Sequence, residues 1–394
     1  MANRYTLPST VYLLGLTIFT LVTAEFMVAG IMPALAEAFS VSLAKVGNLI
    51  AFYALGMALG GPVVSLLLIS QGIRNKRALI VLLAVYVAAG ALAAAAPTYN
   101  LLLLARILMG VASAGCLGLC MTLCAELVPL EARGRAVSVV LAGLMMSPVA
   151  GVPLTNWIEH GFGWRASSWV IVALSILCTV LVSLRLPPGH HDQQQSLRSQ
   201  WTALHSRSLW GAYLTSGLII GATFAAFSYI TPILIEEVGI QPGAVAPLLA
   251  LYGVANLVGN MVVGRIADRH TFAALGWGLA LLIVALTGFA LAGGHTALNL
   301  ACLIAVGLTG VALNPAMVAR VMKAAEPGAL VNTLHTSVIT AGLAFGSWAG
   351  GAVIDAGHGL RSPLWVGAAM AALGLISLAP ALLTPNQVTR ACVE

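Results

Sequence analysis

Three titratable side chains interrupt otherwise apolar runs of this sequence. Glu25 lies in Thr23-Ala24-Glu25-Phe26, Arg106 in Leu104-Ala105-Arg106-Ile107, and His335 beside Asn332, Thr336 and Ser337. Charge within an apolar run is costly, so each instance calls for a reason. Burial favours the neutral form of a carboxyl, whereas a neighbouring guanidinium favours the ionised form. A carboxyl that alternates between those surroundings can take up and release a proton. Glu25 with Arg106 is therefore the candidate proton-handling pair, and a static ion pair that fixes helix packing is the alternative. His335 reads either as a third proton-handling group or as an imidazole satisfied by neighbouring hydroxyls.

The elements that must position these groups follow from composition. The chain has 394 residues, 60% of them apolar and only 8% charged, with a mean hydropathy of +0.99. Soluble domains carry about 25% charged residues, so 18 basic and 12 acidic side chains cannot clothe this chain in a water-facing shell. A soluble enzyme is excluded, and the apolar surplus must face lipid. Twelve apolar runs are read at 11–34, 46–69, 78–96, 101–124, 136–157, 167–186, 209–234, 248–266, 272–292, 297–321, 329–353 and 364–383. Their length is that of membrane helices, unlike the short alternating strands of a barrel. Ala34-Leu35-Ala36 imitates a cleavage site, but the run before it is too long and too weakly preceded by charge for a signal peptide. Helix 1 runs outward and helix 4 inward, and at ~1.5 Å per residue Glu25 and Arg106 fall at depths matching within one turn.

Charge sets orientation. With the N-terminus cytoplasmic, only Lys45, Arg165 and Arg361 lie outside and Arg106 within a span, which leaves 14 of the 18 basic residues inside. Both termini are then cytoplasmic, and the net charge of +6 needs no nucleic-acid partner. The polar stretch 187–208 divides the chain into an N-terminal bundle, 1–186, and a C-terminal bundle, 209–394. Within that stretch, His190-His191 reads as solvated linker rather than metal site. Faint repetition supports the division, since Tyr53 precedes Gly60 as Tyr252 precedes Gly259. Cys116, Cys120 and Cys124 share a stripe of helix 4 that reads as helix packing, with a soft-metal site as the alternative. Glu126 is expected to pair with Arg133 or Arg135, and Glu236-Glu237 to be solvated outside.

Several motifs resemble those of the major facilitator superfamily, and within it the twelve-span drug:proton antiporters, closest to the sugar-efflux and chloramphenicol-efflux branch. The resemblance covers essentially the whole chain. Thr23-Ala24-Glu25-Phe26 through Gly30 and Pro33 is similar to the acidic stretch of that branch, and Arg106-Ile107-Leu108-Met109-Gly110 to the family's arginine motif. The segment from Gly143 through Ser147-Pro148-Val149-Ala150-Gly151 to Pro153 resembles the antiporter motif, with Ser147 and Val152 in place of glycines. Gly264-Arg265-Ile266-Ala267-Asp268-Arg269 is similar to the gating loop between helices 8 and 9. Its counterpart ending in Arg74-Asn75-Lys76-Arg77 lacks the acid. Phe227-Ser228-Tyr229-Ile230-Thr231-Pro232 and Gly163-Trp164-Arg165 also resemble the family.

The resemblance implies an all-α membrane protein of twelve helices in two pseudo-symmetric six-helix bundles, around a cavity lined by helices 1, 4, 7 and 10. It implies proton-coupled efflux by alternating access in a bacterial inner membrane, by a monomer without a cofactor or metal. Glu25 would carry the proton, with Arg106 displacing it. Tyr53, Phe224, Phe227, Tyr229, Tyr252, Asn256 and Asn314 are the candidate substrate contacts, each with helix packing as its alternative. They suit a neutral amphiphile such as an amphenicol, a sugar or a nucleoside. Gly143, Pro148 and Gly151, with Gly264, Asp268 and Arg269, are the candidate gating positions. A proton-symport importer and a non-transporting receptor are the competing readings. No nucleophile–base spacing or phosphate loop supports an enzyme.

Overall fold

In lipid every backbone polar group must be satisfied within the chain, and apolar runs of this length do so as helices. The computed structural model describes residues 6–71, 73–187, 206–325 and 329–379, all helix and connection with no strand among them. The spans are α1 (Ser9–Gly30), α2 (Leu43–Gln71), α3 (Asn75–Ala95), α4 (Tyr99–Glu126), α5 (Arg133–Met146, continued as Val152–Phe162) and α6 (Trp164–Arg185). The second half holds α7 (Arg207–Phe227), α8 and α9 (245–269 and 271–291), α10 (Thr296–Ala324), α11 (Ala329–Val353) and α12 (Ser362–Ile376). Most of the stretch 187–208, with His190 and His191, lies outside the described residues, as does the chain after residue 379.

Four spans are interrupted. Ser147–Gly151 forms a π-bulge in α5, and α7 breaks at Ser228 and Tyr229. α10 breaks at Gly310 before resuming at Asn314-Pro315. α1 turns at Ile31 into a short helix, Met32–Phe39, where Asn156 Nδ2 donates to the freed Gly30 carbonyl at 2.7 Å. The expected loop between helices 8 and 9 is reduced to one residue. Helix persists through Arg269 and bends at His270 (φ −130°, ψ 44°).

Small residues set the packing, because lipid gives helices no hydrophobic reason to associate. Gly143 of α5 lies against the Gly15 carbonyl of α1, and Gly342 and Gly346 of α11 lie against the carbonyls of Gly217 and Gly221 of α7. These contacts repeat between halves. Gly15 with Gly143 answers to Gly217 with Gly342, and Thr23 with Gly151 to Ala225 with Gly350. Gly110 against the Tyr53 carbonyl answers to Gly307 against that of Tyr252. Gly163 and Gly359, each at φ +82°, turn the chain into α6 and α12, and an arginine follows two residues later in both. Arg165 donates to the Ala96 carbonyl (3.1 Å), and Arg361 to those of Phe289 (2.8 Å) and Gly293 (2.7 Å). The two six-helix bundles are thus pseudo-symmetric down to individual contacts.

The halves meet at one end. Gly47 of α2 and Gly351 of α11 both abut the Tyr229 hydroxyl, Gly351 also touches Ala44, and Gly30 touches Leu249. Gly253 of α8 lies on the Pro148 carbonyl in the π-bulge. Towards the other end the glycines find no such partner. Gly118 and Gly134 meet nothing within 4 Å, and Gly211 and Gly264 meet only their own half. There Thr122, Ser138, Asn332 and Thr336 are exposed, polar groups suited to a water-filled cleft rather than acyl chains. The molecule is closed at the end carrying residues 30–47 and open at the end carrying the start of α1.

Candidate functional site

Most of α1 is buried, so Glu25 is only 6% exposed, and Arg106 across from it only 2%. The Arg106 guanidinium donates to the main-chain carbonyls of Ala24 (2.7 Å) and Glu25 (3.0 Å) on α1 and of Leu49 (3.5 Å) on α2. It also sits 4.2 Å above the Tyr53 ring. Helices 1 and 4 therefore meet at the expected depth, but through a different contact. A helical carbonyl has a second lone pair to offer, and Arg106 uses two of these to grip the backbone of α1. The Glu25 carboxyl itself has no hydrogen-bond or ion-pair partner among the described residues. The static ion pair is thus not what is built, and a proton can reach or leave Glu25 without dismantling the arginine's bonds.

Tyr53 does not line a cavity between the halves. It is fully buried inside the first half beneath Arg106, its hydroxyl facing Tyr86 and Ser113 and lacking a hydrogen-bond partner. Tyr229 is displaced too. Its hydroxyl donates to the Ser347 carbonyl (2.8 Å) at the closed end, where Ser228 and Ser347 share a 2.5 Å hydrogen bond. Phe224, Phe227 and Tyr252 do come together. Phe26, one residue past Glu25, stands 5.2 Å from Phe224 and 6.2 Å from Phe227, which stacks on Tyr252 at 4.8 Å. This aromatic cluster spans both halves, and Phe26 joins it to the helix turn that carries the acid. Asn256, one turn beyond Tyr252, is buried with its Oδ1 unpartnered. Asn314 is half-buried where α10 resumes after its break.

His335 belongs to a separate cluster within the second half. Its Nε2 is 2.9 Å from Ser216 Oγ, and its ring stacks on Tyr213 at 5.7 Å. Arg320, read from sequence as one of the inside basic residues, is 6% exposed and bonds Thr215 Oγ1 and, at 3.5 Å, the Ser377 carbonyl. No carboxylate pairs with His335 or Arg320 among the described residues. The three titratable candidates thus form one pair and one outlier.

The motif positions are mostly joints. Gly143 and Gly151 let α5 touch Gly15 and Thr23, and Thr23 donates to Ser147 Oγ at 3.2 Å, linking the acid-bearing stretch to the bulge around Pro148. Gly264 lies near Pro315, Asp268 accepts from Lys323 Nζ through its main-chain carbonyl (2.9 Å), and Arg269 is exposed, with no partner among the described residues. At the helix ends, Asn75 also donates to Glu126 Oε1 at 2.7 Å, and Glu237, exposed as expected, is paired with Arg361 at 3.0 Å.

Thr23, Phe26 and Ser147 stood in the sequence only as members of motifs, and their contacts arise where helices 1, 5 and 7 converge. Arg106 also faces a small void of about 30 Å³ shared with Tyr86, Ser168 and Ser175, room for roughly two waters.

Comparison with known proteins agrees with this architecture. The sequence model described as Major Facilitator Superfamily matches residues 14–334 and 228–391. The inner membrane transport protein YdhP of Escherichia coli (strain K12) is 32% identical over 364 residues, covering 92% of this chain and 93% of that one. A chloramphenicol resistance protein of Streptomyces lividans is 28% identical, covering 95% and 96% respectively. Among solved structures, a bacterial homologue of the human lysosomal transporter Spinster, inward-facing and occupied, superposes with a TM-score of 0.73. It shares 15% identity over 96% of this chain and 97% of that one.

Proposed function

The chain belongs to the Major Facilitator Superfamily and is a multi-pass membrane transporter, not an enzyme, and from that premise we propose that it exports a small neutral amphiphile in exchange for protons. The observation that carries this reading is the buried, unpartnered Glu25 carboxyl, held beside an arginine whose bonds go to the backbone. Proton uptake there neutralises the carboxyl and leaves the arginine's charge uncompensated, without loosening α1 from α4. The aromatic cluster of Phe26, Phe224, Phe227 and Tyr252 adjoins the acid and offers flat apolar surface, with the Asn256 carbonyl as an acceptor for a cargo N–H or O–H. Cargo and proton then compete through Phe26 and Glu25, neighbours on one helix.

Two exclusive states and a driving ligand are what concentrative transport demands. The closed end here is one such state, and the clustering of basic residues supports a reading with the open end and both termini in the cytoplasm of a bacterial inner membrane. A proton entering supplies roughly 2.3 kcal/mol per 100 mV and about 1.4 kcal/mol per pH unit. An amphenicol-like cargo is favoured by the S. lividans relative, which is a chloramphenicol resistance protein. The test is substrate-evoked collapse of a pH gradient in everted vesicles. Glu25→Gln should abolish the collapse while cargo binding persists, and an unchanged response would remove Glu25 from the mechanism.

A further inference from the structure

The bend at His270 opens a groove on the outer surface of the second half, away from the cleft between the halves. It measures about 290 Å³ and runs between α8 (Val263, Ile266), α9 (Ala273, Ala274, Trp277, Gly278, Leu281) and the broken part of α10 (Leu308, Thr309, Leu313). The short side chains of Ala273 and Ala274 line it, and Gly278 brings α9 close against Leu313. The lining is apolar save for Thr309 and His270, which stands at one end. Trp277 is 79% exposed along its edge.

Cationic side chains gather at the His270 end. Arg269 is exposed with no hydrogen bond or ion pair among the described residues, and Arg265 is equally free one turn earlier. Lys323 of α10 reaches the same bend, bonded to the Asp268 carbonyl and to Thr271 Oγ1 (2.7 Å), with a third donor left over. Asp268 is the one acid in this turn. Helical spacing sets Arg269 about a quarter turn from the groove face and Asp268 on roughly the opposite side of α8. An apolar channel therefore begins at a cluster of cations at the open end of the molecule, where headgroups would lie.

We propose that this groove is a binding site for an anionic phospholipid, one acyl chain lying along α9 beside the break in α10 and the phosphate meeting Arg269 and Lys323. Long arginine and lysine stems suit that geometry, since they lie along apolar surface while the charged head reaches the interface. The site is independent of cargo and proton chemistry. Occupying it fills the space beside the break in α10 at Gly310.

The test uses the full chain in phosphatidylcholine vesicles doped with bromine-labelled phosphatidylglycerol or bromine-labelled phosphatidylcholine. The signal is the fluorescence that disappears in Trp277→Phe. The brominated anionic lipid should quench Trp277 several-fold more strongly than the zwitterionic one. Arg269→Gln should cut that preference roughly fivefold, and high salt should weaken it as well. Ala273→Phe, an exposed position, should reduce quenching by both lipids without disturbing the fold. Equal quenching by the two lipids, or a preference that Arg269→Gln leaves intact, would overturn the proposal and make the groove ordinary lipid boundary. Protection of Trp277 from both lipids would overturn it in favour of a protein segment.

Discussion

Gly47→Ala should open the closed end, and its size can be worked from the coordinates. A methyl group at position 47 would overlap the Tyr229 hydroxyl and lie 2.6 Å from its Cζ. The ring cannot retreat freely, because it is fully buried, its hydroxyl donates to Ser347 at 2.8 Å, and Gly351 already approaches from the other side. Overpacking costs about 1–3 kcal/mol, and losing the hydroxyl's bond about 1 kcal/mol. Together, about 2–4 kcal/mol would shift the balance of closed and open populations roughly 30- to 1,000-fold. Spin labels at Glu37→Cys and Gln241→Cys, both exposed at this end, should report longer distances in the variant. Because the clash is largely with the hydroxyl, Tyr229→Phe should relieve part of it, and the two substitutions should combine less than additively. An unaltered distance distribution in Gly47→Ala, or a shift indifferent to residue 229, would refute the role given to this contact.

Other perturbations follow from the same geometry. Arg106→Lys keeps the charge but not the fork that grips Ala24 and Glu25, so transport should fall more than tenfold while the protein still purifies as a monodisperse species. Arg361→Ala removes one ion pair and the bonds to the main-chain carbonyls of Phe289 and Gly293 and should cost about 2–4 kcal/mol in thermal unfolding. Its counterpart Arg165→Ala, with one bond to Ala96, should cost only about 1 kcal/mol. His335→Ala should lower stability by about 1 kcal/mol through the lost bond to Ser216 and leave proton exchange intact. A selective loss of exchange would return His335 to the relay.

How much was legible beforehand depends on which interaction fixed the feature. Spans and the candidate acid were readable because the cost of leaving water acts on residue type alone. Glu25 and Arg106 stood out as charges in apolar runs, and their depth match followed from helical rise. The way they meet was not readable. Whether a guanidinium takes a carboxylate or a backbone carbonyl is decided by side-chain direction and by which lone pairs face it. Tyr229 failed for a related reason: its break in α7 turns it towards α2 and α11, and nothing local says that Gly47 and Gly351 leave space for it. Gly47 itself is one of 41 glycines, distinguishable only once its neighbour across the interface is known.

The repeat carries one step more. Matching glycine contacts align α1 with α7 and α4 with α10, and the same alignment sets Glu25 opposite Phe227 and Arg106 opposite Leu303. The second half therefore keeps the helix approaches of the first and replaces its acid and base by apolar groups. A charge change at Glu25 has no compensating partner across the pseudo-twofold axis, so titration biases one half against the other rather than both alike. That asymmetry is what a rocking mechanism needs. The ring at position 227 packs on Phe26, beside the acid it replaces, so cargo bound to the aromatic cluster would feel the protonation of the first half through one side chain. Phe227→Glu would set a second acid opposite Glu25, with no second arginine beside it. If the reasoning holds, it should uncouple cargo efflux from proton entry, and undiminished coupling in that variant would show that the apolar half is incidental.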